Sequence, residues 1–205
     1  MQQKDRNKGF TLIEVIIVVA ILAVLLGILV PSLNPILGFR VQRASEAIGG
    51  ALDRTKTEAM NRLVAEVKIS YVAEDGYYIT YYLDRGKSSS SDEQIKADQP
   101  EKIAPAKTQI SYTDDQGTVH RLWESGQSAL ILTYDRATGG FRQIQEDTIG
   151  QETILAQLES GQDIVFHDSG YYCTKITIRG GQKQRSLMLD KVTGSYKMVS
   201  EEPGK

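Results

Sequence analysis

Cysteine is almost missing from this chain. Cys173 is the only one in 205 residues, so no intrachain disulfide can form. A lone thiol of this kind reads as a buried, inert side chain, with intermolecular pairing as the alternative. Histidine is scarce too. His120 and His167 are the two present, and neither stands at metal-ligand spacing from the other or from Cys173. No metal site and no cofactor are therefore expected. The chain has no Walker loop, no Gly-x-Ser-x-Gly and no Asn-x-Ser/Thr sequon. Ser125, Gly126 and Ser128 read as turn residues rather than nucleophiles. With no acid, base or nucleophile constellation, no enzymatic activity is expected. Charge of one sign is lacking as well: the formal balance is -2. Lys4, Asp5, Arg6 and Lys8 give +2 ahead of residue 10, which leaves -4 for the remainder. Bulk charge thus gives no argument for nucleic acid or anionic lipid as a partner.

One long apolar run is abundant instead. Phe10 to Val30 spans 21 residues, and its only strongly polar member is Glu14. As a helix it would be roughly 31 Å long, enough to cross a bilayer's hydrocarbon core. Basic residues precede it, which predicts a cytoplasmic N-terminus and an exported C-terminal part. The run is too long for a cleaved secretory signal and ends in Val30-Pro31-Ser32-Leu33, without Ala-x-Ala. A plain single-pass anchor would explain the length and the orientation. It would not explain Glu14, since a carboxylate in such a segment costs about 2.5–3.5 kcal/mol.

The stretch Lys8-Gly9-Phe10-Thr11-Leu12-Ile13-Glu14 resembles the signal of type IV pilins and type II secretion pseudopilins. That pattern is a short basic leader ending in glycine, then Phe, an acidic residue four positions on, and about twenty apolar residues. The segment Leu52 to Arg62, with Thr57-Glu58-Ala59 inside it, resembles the helix of GspH/FimT-type minor pilins. The resemblance implies a prepilin peptidase that cuts between Gly9 and Phe10 and methylates the new amine of Phe10. It implies that Glu14 faces that amine in a neighbouring subunit. Pairing makes physical sense, because each charge alone is costly in an apolar bundle. The other implied partners are further pilin or pseudopilin subunits, an inner-membrane assembly platform, and membrane lipid before assembly.

The expected organisation follows. Residues 1–9 form a leader, 10–30 a transmembrane and assembly helix, 31–63 an amphipathic continuation, and 64–205 an exported β-rich domain. Pro31 and Pro35 should kink the helix. Val41, Ala44, Ile48, Leu52, Thr55, Ala59 and Leu63 recur at helical spacing and should dock on a core. Strands are expected at 64–72, 77–83, 109–113, 118–123, 129–134, 141–144, 164–166, 171–179, 186–190 and 196–199. Residues 86–107, with Ser88 to Ser91, Pro100 and Pro105, read as a long exposed loop. The fold class is α+β: a long N-terminal helix packed on an antiparallel, pilin-like sheet domain.

Leu132 to Ile144 and Leu187 to Val199 match in character position by position, each with Asp, a basic residue, Thr and Gly at the turn. Two unrelated hairpins sharing turn chemistry explain this more simply than a duplication. Asp114 and Asp115 read as turn residues rather than calcium ligands. The tyrosines Tyr71, Tyr77, Tyr78, Tyr81 and Tyr82 read as sheet packing, with a subunit interface as the alternative. Lys175, Arg179, Lys183 and Arg185, near Lys191 and Lys197, form a basic cluster. Such a cluster beside tyrosines could contact DNA, as some FimT-like minor pilins do, although a solvated strand surface is the simpler reading. The overall expectation is a minor pilin or pseudopilin of a type IV pilus, type II secretion or competence-type filament. The alternative is a DNA-binding or adhesive minor pilin acting as a surface receptor.

Overall fold

The structure is a computed structural model that describes residues 11–29, 33–84, 98–124, 129–149, 156–157 and 159–201. The chain divides into two compact units, 1–36 and 37–205. In the first unit, α1 (Leu12–Leu29) is an 18-residue helix, about 27 Å long at the usual rise. Among the described residues no helix is long and apolar enough to cross a membrane. Phe10 and Val30, the ends of the expected span, lie outside the described residues.

The second helix, α2 (Leu33–Asn61), docks one face. Val41, Ala44, Ser45, Ile48, Ala51, Leu52, Thr55 and Ala59 are buried, a spacing of three and four that puts them on one stripe. Ser45 and Thr55 are the polar members, and their hydroxyls donate to the Gln42 and Ala51 carbonyls, each at 2.7 Å. Small residues let the sheet come close. A Cβ on Gly49 would lie 2.6 Å from the Met198 methyl and 2.7 Å from the Tyr196 hydroxyl.

Nine strands follow among the described residues: β1 (Val64–Val72), β2 (Gly76–Asp84), β3 (Glu101–Pro105), β4 (Gln109–Asp114), β5 (Val119–Arg121), β6 (Ala129–Thr133), β7 (Cys173–Gly180), β8 (Lys183–Asp190) and β9 (Ser195–Glu201). They form two antiparallel sheets, β3-β2-β1-β6 and β5-β4-β7-β8-β9. Alternation sorts each strand between two faces. Val67, Ile69, Tyr77, Ile79, Tyr81, Leu130 and Leu132 of the first sheet meet Ile110, Ile176, Ile178 and Leu187 of the second in one core with α2. The Tyr77 hydroxyl accepts from the Ile110 amide at 3.3 Å and joins the two sheets. Among the described residues the class is therefore α+β, with helices α1 and α2 and two antiparallel sheets.

Three expectations are corrected. The loop expected over 86–107 contains β3, which pairs with β2 and buries Ile103 and Ala104. Pro100 and Pro105 misled because β3 is an edge strand, where a missing amide donor costs little. The segment expected as a strand at 141–144 makes only isolated bridges around β6, Tyr134 with Phe141 and Ile131 with Gln145. The one expected at 164–166 is not a strand. Ile164 and Phe166 instead pack with Leu63, Val64 and Ile149 in a small second cluster.

Candidate assembly helix and candidate binding faces

Thr11 precedes α1 and caps it. Its hydroxyl accepts from the Glu14 amide at 3.3 Å, and its carbonyl accepts from the Glu14 and Val15 amides at 3.1 and 3.2 Å. Glu14 therefore stands in the first turn, as in the Thr-x-x-Glu capping box, where the helix dipole favours a carboxylate. Sequence reasoning missed this local role, although Thr-x-x-Glu ahead of an apolar run is its signal. Every side chain from Thr11 to Leu26 is exposed, and Leu12 is 81% so. The helix is apolar on all sides rather than along one stripe. Such a helix is stable only inside a larger apolar body, whether a bundle or lipid.

Gly9, Phe10 and Pro31 lie outside the described residues. Pro35 is in the first turn of α2, where an amide would have no partner inside the helix.

The basic cluster is not brought together on one face. Ile178 pairs with Arg185 and Gly180 with Lys183, so these two cations share the core-side face with Ile176 and Leu187. There they line a groove of about 450 Å³ beside Gly38, Val41 and Gln42 of α2. Lys175 pairs with Met188 and Arg179 with Gln184, which puts them on the opposite face. On that face Glu201 dilutes the charge: it accepts from Lys175 at 3.4 Å and from Gln184 at 2.6 Å. Four cations close in sequence thus become two pairs on opposite sides of a sheet.

The tyrosines divide the same way. Tyr77 and Tyr81 are buried, and the Arg54 guanidinium lies 4.0 Å from the Tyr81 ring. At the β4–β5 turn Asp114 Oδ1 accepts from the Gln116 and Thr118 amides at 3.0 and 2.8 Å, while Oδ2 meets His120 Nε2 at 2.8 Å. Burial opposes the Asp114 charge, but His120 and the Thr118 and Gln116 amides outweigh it and hold the carboxyl below its ordinary value. Both oxygens are spent on the turn. Cys173 is fully enclosed at 2% exposure, and burial pushes its thiol far above the usual range.

The two echoed segments end in the same turn. Asp135 Oδ1 accepts from the Ala137 and Thr138 amides at 3.1 and 2.8 Å. Asp190 Oδ1 accepts from the Val192 and Thr193 amides at 2.9 and 3.1 Å. Gly139 and Gly194 then donate to the carbonyls of Asp135 and Asp190 at 2.8 and 2.9 Å. The turns lie against each other, with the Phe141 amide donating to the Lys191 carbonyl at 2.9 Å. Lys56 of α2 donates to the Thr193 carbonyl at 2.7 Å and ties the pair to the helix.

Neither a curated protein nor a solved structure matches the chain. Residues 4–30 match the family model of the prokaryotic N-terminal methylation motif, so the segment that holds α1 and Glu14 is a type IV pilin-like prepilin signal.

Proposed function

We propose that the chain is a minor pilin or pseudopilin, assembled into a filament through α1 and carrying its β domain outward. The observation that carries this reading is a helix apolar on all sides, with one carboxylate in its first turn, inside the methylation motif. Before assembly the run from Phe10 to Val30 sits in the cytoplasmic membrane with the β domain exported. A prepilin peptidase cuts after Gly9 and methylates Phe10. The new amine keeps its positive charge, with an ordinary pKa near 8. In the filament it meets Glu14 of the next subunit, and each group removes the other's desolvation penalty.

Mass spectrometry of the protein from cells with an active prepilin peptidase tests this. The N-terminal peptide should begin at Phe10 and carry one extra methyl group. An intact leader in those cells overturns the reading.

A further inference from the structure

Glu66 is the third residue of β1 and lies on the face of the first sheet turned away from the main core, opposite Tyr82 of β2 and Thr133 of β6. Residues 145–149 cross that face and seal it, leaving Glu66 0% exposed. Glu66 Oε2 accepts from the Ile149 amide at 3.1 Å. Its Oε1 is also buried and has no hydrogen-bond partner among the described residues. The strap is held elsewhere by the Gln145 amide on the Ile131 carbonyl at 3.1 Å and the Glu146 amide on the His167 carbonyl at 2.8 Å. Ile149 packs on Val64 beneath it.

Among the described residues, the groups facing Glu66 do not neutralise it. Asp147 approaches from the strap, and Tyr82 faces it from β2. Lys68 lies two residues along β1 on the same face and lines an open cleft with Asp147 rather than bonding Glu66. The Thr133 hydroxyl is spent on the Ala65 carbonyl at 2.6 Å. A buried carboxylate with one amide donor and no cation is costly, whereas the neutral acid is tolerated. Burial pushes the Glu66 carboxyl up to about 7; the Ile149 amide opposes this and Asp147 adds to it.

We propose that Glu66 is a proton-operated latch, which holds the 145–149 strap closed over the first sheet when protonated and favours its lifting when ionised. The sign follows from linkage. Lifting the strap returns Glu66 to water and to an ordinary value near 4.3. Opening is therefore least favoured below that value, rises with pH between the two values, and levels off above about 7.

Hydrogen exchange on the full chain in detergent micelles tests it, read on the peptide holding the Ile149 amide and corrected for intrinsic exchange. From pH 5.5 to 7.5 the opening constant should rise about twentyfold, while the β7 amides around Ile176 should show no such rise. E66Q keeps the shape and has no proton to lose, so its strap should open independently of pH. E66L provides the same readout should the glutamine variant fail to fold. A wild-type strap with no pH dependence, or a variant that keeps the twentyfold rise, overturns the latch.

Discussion

The backbone of Gly139 occupies the space a side chain on Gly194 would need: a Cβ there would lie 2.0 Å from the Gly139 carbonyl oxygen. The two echoed turns touch main chain to main chain, and Gly194 also has φ +61°. Gly194→Ala should destabilise the β domain by at least about 2 kcal/mol, from strain plus a clash that only backbone movement relieves. Gly117→Ala is the comparison. Gly117 has φ +84° but open space around its Cβ position, so about 1 kcal/mol is expected. Chemical denaturation of both variants checks the difference, and equal losses would show that the turns do not constrain each other.

One pair of variants separates the observed place of Glu14 in the first turn of α1 from its proposed role in assembly. Its backbone amide donates to the Thr11 hydroxyl, a contact that glutamine at this position also keeps. In the proposed assembly role its charge has no substitute. Glu14→Gln should therefore block incorporation into filaments as fully as Glu14→Ala, with membrane insertion intact in both. Filament pull-down and membrane fractionation read this out. Normal assembly of the Gln variant would leave only the cap.

The two turn aspartates give the domain an acid dependence. Thr138 and Ala137 donors hold Asp135 below its ordinary value, and Thr193 and Val192 donors do the same for Asp190. A lowered carboxyl contributes stability that is present above its unfolded value near 3.9 and is lost as pH falls through the folded one. Asp135→Asn should lower the melting temperature at pH 6, with the gap to wild type closing by pH 2.5. A gap that stays constant over that range would mean that the amides do not favour the charged form.

The stripe on α2 was legible because burial there follows a 3.6-residue period within one element. The first hairpin was legible because Glu74-Asp75-Gly76 separates two apolar runs. The sides taken by the cations were only half legible. Spacing of two puts Lys183 with Arg185, and spacing of four puts Lys175 with Arg179. Whether the two pairs share a face depends on the register between β7 and β8. That register is set at the short turn between Gly180 and Lys183, and a one-residue change there would have moved one pair across. Glu66 was not legible at all. The strap that buries it comes from about eighty residues further on, and nothing local to Val64-Ala65-Glu66-Val67 announces it.

Cys173 has a consequence for how the motions of the domain can be followed. Its sulfur is enclosed between strands and held in the thiol form, so oxidants and alkylating reagents meet it only when β7 comes away from its neighbours. Each reaction at that sulfur then counts one such excursion. The labelling half-life of the intact protein is a clock for how often β7 leaves the sheet, built from the native sequence without any added probe.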